Sequence, residues 1–133
     1  MTYFLDANVI IDLLNGNKKV LENFKSAYVN AEIKIPDIAY YEVLRGFCWK
    51  DPKNQLSNFE IFVQKCGIVN MDLHTLRIAA NIYANLMRDG NKVDDDGDIF
   101  IGASAVRHNA VLVTNNIRHL SKISAIQLEN WRL

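Results

Sequence analysis

Short continuous runs of apolar residues alternate along this chain with longer segments in which apolar residues recur at helical spacing. The runs predict buried strands at residues 2–5, 33–35, 67–69 and 110–113, and a last short strand within 124–128. The spaced segments predict five helices. The first begins near Val9, the second spans 38–49 and the third follows Pro52. The fourth runs from a cap at Asp72 to Gly90, and the fifth spans 99–107. This alternation predicts an α/β fold with a mainly parallel sheet covered by helices on both faces.

The composition is that of one globular domain, which we expect to occupy residues 1–133. Lys plus Arg equals Asp plus Glu at 15 each, so the net charge does not indicate nucleic-acid binding. The first residues lack the basic region of a signal peptide, and no segment approaches the ~20 apolar residues of a membrane span. We therefore expect a cytoplasmic protein without membrane association. The two cysteines, Cys48 and Cys66, are predicted to be buried free thiols.

Polar residues directly follow two of the predicted strands. Asp6 comes after the strand at 2–5, and Thr114, Asn115 and Asn116 come after the strand at 110–113. In parallel sheets, ligand sites lie beyond the carboxyl ends of the strands. The functional site is therefore predicted at this edge of the sheet.

Each acidic candidate has an ordinary structural explanation when it is taken alone. Asp6 could be the N-cap of the next helix, and Glu42 could be a solvated helix residue that pairs with Arg45. In the acidic run at 94–98, Asp96 could cap a helix, and Asp98 would lie in the first helical turn, where the helix dipole favours a carboxylate.

Taken together, these acids indicate a metal site. Several carboxylates at one sheet edge repel one another unless a cation neutralises them. Ligands that are all oxygen atoms favour Mg²⁺ or Mn²⁺ over zinc. Such an ion binds phosphate groups and lowers the pKa of a bound water molecule.

Four motifs occur in order along the chain: FLDANVI at 4–10, YEVLRG at 41–46, DIFIGA at 98–103, and LVTNN at 112–116, which RHL follows at 118–120. With these motifs the sequence resembles the PIN-domain family, particularly the VapC toxins of bacterial toxin–antitoxin pairs. The resemblance implies a three-layer α/β/α sandwich with a parallel sheet. It also implies divalent-metal-dependent cleavage of RNA.

The resemblance assigns roles residue by residue. The family's three main acidic positions fall on Asp6, Glu42 and Asp98, which are expected to hold Mg²⁺ or Mn²⁺, with Glu42 binding directly or through water. The fourth position falls on Asn116, where many members carry Asp, so the tight binding of a second ion is in question. Supporting roles are expected for three more residues: Asn8 and Thr114 through hydrogen bonds, and Asp96 as an outer acid.

Partners are also implied. Basic residues near the motifs could contact RNA phosphates, although ordinary surface charge is the simpler explanation for each of them: Arg45, Lys50, Lys53, Arg118 and His119. The aromatic-rich helices predict a large core together with an apolar groove or a dimer face. By resemblance, the groove takes a helical peptide of a cognate antitoxin, and the chain forms a homodimer or a larger toxin–antitoxin assembly.

Two other functions fit part of the pattern. A phosphatase of the haloacid-dehalogenase type also begins with an Asp after its first strand, but it uses Asp-x-Asp, and Asn8 stands at the second position. A PIN scaffold that binds RNA or protein without cutting would need none of the acids, and Asp6, Glu42 and Asp98 are all present.

Overall fold

The computed structural model describes residues 1–50, 54–93 and 95–133, and within them seven helices flank a five-stranded sheet. In chain order the elements are β1 (Thr2–Leu5), α1 (Ala7–Leu14), α2 (Lys18–Asn30), β2 (Glu32–Pro36), α3 (Asp37–Lys50), α4 (Gln55–Cys66), β3 (Ile68–Val69), α5 (Leu73–Arg88), α6 (Asp96–Arg107), β4 (Val111–Val113), α7 (Ile117–Leu120) and β5 (Gln127–Glu129). The predicted α/β class is confirmed.

The sheet order is β3-β2-β1-β4-β5, and every pair of neighbouring strands is parallel. Central strands of such a sheet are covered on both faces, which explains the uninterrupted apolar runs of β1 and β4. Phe4 and Leu5 of β1 and Leu112 and Val113 of β4 are all buried.

The chain order of the strands reverses direction beside β1. The strands β2 and β3 extend the sheet on one side of β1, and β4 and β5 extend it on the other. Such a switch point opens a crevice at the carboxyl ends of the two strands that flank it. In the β1–β4 register Leu5 lies opposite Val113, so the residues that follow them, Asp6 and Thr114, emerge side by side.

The predicted strands are confirmed, and the predicted helices are present with small shifts of their ends. Two helices were not predicted: α2, because residues 18–30 were not assigned to a separate helix, and α7, because four residues are too few to display a helical period. Asp95, not Asp96, is the N-cap of α6. The predictions that involve Pro52, Lys53 and Asp94 lie outside the described residues.

Two further expectations can be compared with the structure. Cys66 is buried, but the prediction of a buried Cys48 is wrong, because the apolar residues around it do not share one face of α3 and Cys48 lies on the exposed side. Within the described ranges, no helix has the length and apolar character that a membrane crossing requires.

Candidate active site

Asp6 joins the end of β1 to the start of α1. Its carboxylate caps α1 by accepting a hydrogen bond at Oδ1 from the backbone N–H of Ala7, at 2.8 Å. The residue is only 4% exposed. Burial raises the pKa of Asp6, and hydrogen bonds from Thr114, Ala7 and Asn8 partly oppose this increase. The sequence offered two alternative roles for Asp6, an N-cap and a polar residue of a site at a strand end. In the structure the same carboxylate caps α1 and lies at the end of β1.

The loop after β4 provides the strongest contact to Asp6. The buried hydroxyl of Thr114 donates to Asp6 Oδ2 at 2.7 Å, and the backbone N–H of Asp6 donates to the carbonyl oxygen of Val113 at 3.0 Å. The same hydroxyl accepts a hydrogen bond from the backbone N–H of Asn116 at 3.0 Å. One side chain thus links the carboxylate to the loop that carries Asn116.

Asn8 lies in the first turn of α1, two positions after Asp6, and bridges the two strand ends. Its Nδ2 donates to Asp6 Oδ2 at 3.4 Å, and its Oδ1 accepts a hydrogen bond from the backbone N–H of Asn115 at 3.1 Å. The predicted placement of Asn8 and Thr114 next to Asp6 therefore matches the structure.

Glu42 approaches the same region from α3. Burial, followed by the negative charges of Asp6 and Asp95, raises the pKa of Glu42 to about 7. Its carboxylate lies over the first turn of α6, where a Cβ atom on Gly97 would be 2.7 Å from Glu42 Oε2. Position 97 therefore has to lack a side chain if Glu42 is to keep this place.

Asp98 lies in the first turn of α6, as predicted. Burial and then the charges of Asp6 and Asp95 raise the pKa of Asp98 to about 6, while His119 opposes the increase. Asp6, Glu42 and Asp98 come from three separate elements and still interact through their charges.

Asp95 is a member of this group that we did not predict. It caps α6 by accepting a hydrogen bond from the backbone N–H of Gly97 at 2.9 Å, and its charge raises the pKa values of Asp6, Glu42 and Asp98. The dense acidic run at 94–98 was the available signal, but spacing alone could not say which of its carboxylates faces the crevice.

The remaining candidates are distributed around this centre. Asp96 lines a cavity between α5 and α6. Arg45 lowers the pKa of Glu42, and His119 lowers that of Asp98, so both side chains lie near the acids. Lys50 lines a cleft that also contains Glu42. Arg118 belongs to α7, whose N-cap is Asn116.

The charge distribution fits a divalent cation. The donors that Asp6, Glu42, Asp95 and Asp98 offer are carboxylate oxygens, which suit hard ions. Burial and mutual repulsion make the negative charges costly, and a cation would offset that cost. Across residues 1–50, 54–93 and 95–133, no group of three or more Asp, Glu, His or Cys side chains is arranged closely enough to hold a metal ion without movement. The acids therefore interact through their charges without forming a ready-made set of metal ligands among the described residues.

Known proteins resemble this chain over nearly its whole length. Residues 3–125 match the sequence profile of a family described as "PIN domain". Ribonuclease VapC2 of Rickettsia felis is 28% identical over 133 residues, and tRNA(fMet)-specific endonuclease VapC of Salmonella typhimurium is 26% identical over 134 residues; each alignment covers 98% of both chains. The crystal structure of VapBC2 from Rickettsia felis bound to a promoter DNA fragment contains a chain with a TM-score of 0.88 and 26% identity, covering 98% of this chain and 99% of that one.

Proposed function

Since this chain belongs to the PIN-domain family, we propose that it is a divalent-metal-dependent endoribonuclease and the toxin of a toxin–antitoxin pair. We treat residues 1–133 as one catalytic unit. The observation that carries the proposal is the convergence of Asp6, Glu42 and Asp98, from three elements, on the switch point of the sheet. PIN-domain nucleases of the VapC type generally depend on divalent metal ions.

Asp6, Glu42 and Asp98 are the residues that would hold the ion, Mg²⁺ or Mn²⁺, since their donors are all oxygen atoms. The bound ion would supply positive charge for the scissile phosphate and would lower the pKa of an attacking water molecule. Thr114 and Asn8 keep the Asp6 carboxylate oriented and favour its charged form.

Asn116 is the neutral fourth member of the proposed site. Its backbone N–H is held by the Thr114 hydroxyl, and its side-chain oxygen is a weaker ligand than a carboxylate. A second ion would therefore bind less tightly than in relatives with Asp at this position. Asp95 adds negative charge near Glu42 and Asp98, whereas Asp96, the expected outer acid, lines the cavity between α5 and α6.

A cleavage assay tests the proposal. The substrates are tRNA, rRNA and single-stranded DNA. The wild-type chain should cleave RNA when Mg²⁺ or Mn²⁺ is present, and EDTA should abolish this cleavage. Initiator tRNA belongs in the panel, because a relative is named for tRNA(fMet). Asp6→Asn should abolish cleavage without unfolding the chain, whereas Asp89→Asn, at the exposed end of α5, should cut normally.

The two alternatives predict different results in the same assay. A non-catalytic scaffold would bind RNA, and wild type and Asp6→Asn would be equally inactive. A haloacid-dehalogenase-type phosphatase would form an acyl phosphate on Asp6 that can be trapped, whereas metal-assisted hydrolysis forms no covalent intermediate. Either outcome would contradict the nuclease proposal.

The antitoxin is proposed to bind an apolar groove between α1, α2 and α4. The groove has a volume of about 460 Å³, and its lining includes Leu14, Phe24, Tyr28 and Phe62. Leu14 also lines the cleft that contains Glu42, so a peptide in the groove can continue towards the acids. A helical antitoxin segment fits the groove, and a cationic side chain at its end could compete with the metal.

A homodimer, or a larger assembly with the antitoxin, is also proposed. The exposed apolar side chains of α5 are the candidate dimer face: Leu73, Leu76, Tyr83 and Met87. We propose a cytoplasmic location because the RNA substrates are found there.

A further inference from the structure

Arg132 lies beyond β5 and reaches back to α1. Its Nε donates to Asp12 Oδ2 at 2.7 Å, and its Nη2 donates to Asp12 Oδ1 at 2.8 Å. Asp12 is 8% exposed. Two parallel hydrogen bonds between a guanidinium and a carboxylate fix the orientation of both planar groups. Asp12 is therefore held in one rotamer from outside its own helix.

A third donor reaches the same carboxylate from the loop after β4. Asn115 Nδ2 donates to Asp12 Oδ2 at 3.0 Å. An ionised carboxylate only accepts hydrogen bonds, so the Asn115 amide must turn its NH₂ group towards Asp12. The orientation of Asn115 thus depends on where Arg132 holds Asp12.

Asn115 also contacts the preceding turn of α1. Its backbone N–H donates to Asn8 Oδ1 at 3.1 Å, and Asn8 and Asp12 are four positions apart on one face of the helix. Asn115 therefore docks the loop onto two successive turns of α1. Asn8 in turn donates to Asp6 Oδ2 at 3.4 Å, the longest contact in this series.

We propose that Arg132 and Asp12 are positioning residues for the active site, which together form a clamp that acts through Asn115 and Asn8 on Asp6. The inference rests on the proposed nuclease function for its consequence in catalysis. Neither clamp residue reaches the crevice itself, so the effect passes through the loop at 114–116. This loop carries Thr114, which donates to Asp6 Oδ2, and it contacts Asn8, which donates to the same oxygen, so a loosened clamp disturbs two hydrogen bonds to Asp6.

The first experiment measures the clamp without RNA or metal. In Arg132→Ala, the backbone amide of Asn115 should exchange with deuterium at least about tenfold faster, because Asp12 no longer fixes the Asn115 side chain and the loop is held less firmly against Asn8. The amide of Ile35, which donates to the Gly67 carbonyl at 2.9 Å, is the internal reference. Unchanged protection of Asn115 in this variant would overturn the clamp.

The control variant is Arg107→Ala. It removes another ion pair, to Asp72 at 3.6 Å, at the far end of α6 from Asp98. It should change the exchange of neither amide and should leave cleavage at the wild-type rate.

The second experiment measures cleavage at a temperature where circular dichroism shows every variant folded. Arg132→Ala should lower kcat by about 10- to 100-fold with little change in KM, the usual range for residues that orient active-site groups. Arg132→Lys keeps the charge and part of the hydrogen bonding and should recover some of the loss. A kcat equal to wild type in Arg132→Ala would contradict the positioning role.

A double variant separates positioning from independent structural damage. If Arg132 acts through Asn115, combining Arg132→Ala with Asn115→Ala should reduce kcat no further than the worse single variant. If the fold-reductions in kcat of the two single variants multiply in the double variant, Arg132 and Asn115 act independently, and the proposal that Arg132 acts through Asn115 is wrong. The exchange result does not depend on catalysis, so failure of the nuclease proposal would show in the cleavage assays and leave the exchange result unchanged.

Discussion

The hydroxyl of Thr114 lies 2.7 Å from Oδ2 of Asp6, although 108 positions of sequence separate the two residues. This contact joins the ends of β1 and β4 at the point where the site is built. It is also the shortest of the hydrogen bonds that stabilise the charged form of Asp6.

Thr114→Val keeps the side-chain shape and removes the donor. We expect cleavage to fall by about 10- to 100-fold, because a hydrogen bond to a charged group contributes about 1.5–3 kcal/mol. The pKa of Asp6 should rise further, so raising the pH should recover part of the activity, and Thr114→Ser should restore most of it. The measurement is kcat across a pH series.

Thr75→Val is a closely matched control. Thr75 is fully buried, and its hydroxyl donates to Asp72 Oδ1 at 2.9 Å; Asp72 pairs with Arg107, at the opposite end of α6 from Asp98. This variant should lose stability in a similar way and keep its cleavage rate. An equal loss of activity in both variants would mean that the Thr114 effect is only destabilisation.

Gly97→Ala tests the packing of Glu42 on α6. The new Cβ would lie 2.7 Å from Glu42 Oε2 and 3.0 Å from Asp95 Oδ1, so the Glu42 carboxylate must move. We expect weaker Mn²⁺ binding and slower cleavage, with stability kept or raised, because Ala favours helix over Gly by about 1 kcal/mol. Calorimetric Mn²⁺ titration and thermal melts measure the two effects separately.

Gly46→Ala is the control for this variant, since a Cβ there meets nothing within 4 Å. It should bind Mn²⁺ as wild type does. Full Mn²⁺ affinity in Gly97→Ala would show that the position of Glu42 is unimportant.

The metal-free chain should become less stable as the pH rises. Folding raises the pKa of Glu42 to about 7 and that of Asp98 to about 6, so the folded state binds more protons than the unfolded state at intermediate pH. The free energy of unfolding therefore falls from about pH 4.5 to pH 7 and then levels off. Thermal melts in EDTA across this range measure the slope, which Glu42→Gln should reduce.

Added Mn²⁺ should reverse this trend, because the ion binds the ionised carboxylates and releases their protons. Both Mn²⁺ affinity and cleavage at limiting Mn²⁺ should increase between pH 6 and pH 7.5. Affinity that does not change with pH would be inconsistent with Glu42 and Asp98 as ligands.

The proposed antitoxin groove can be tested with exposed residues. Tyr28 and Val29 line it and are 44% and 78% exposed, so replacing both with Ser should not disturb the fold. Loss of their buried apolar area should weaken antitoxin binding by tenfold or more, at about 25 cal/mol per Å². Calorimetry with the product of a neighbouring small reading frame measures it. RNA cleavage by the free variant should be unchanged. Normal antitoxin affinity in this variant would mean that the antitoxin binds somewhere other than this groove.

Much of the fold followed from local patterns. The apolar runs of β1 and β4 predicted central strands, because a strand buried on both faces has apolar residues at every position. The periodic apolar positions predicted α3 and α5, because a helix buried on one face has apolar residues every three or four positions. The placement of Asp6 and Thr114 at one sheet edge followed from the same reasoning.

The details that failed depend on side-chain direction. Spacing could not choose between Asp95 and Asp96 in the acidic run, since neighbouring residues at a helix start differ only in which way they point. The contact of Arg132 with Asp12 could not be predicted either, because it joins residues 120 positions apart and no motif indicates it.

The long separation between Asp6 and Thr114 has a consequence during synthesis. At about 5–20 residues per second, the ribosome makes the two residues of this contact roughly 5–20 seconds apart. Until β4 exists, Asp6 has neither its hydroxyl partner nor the strand beside it. A nascent chain that stops before Thr114 should therefore be harmless to the cell that makes it, whatever the antitoxin level at that moment.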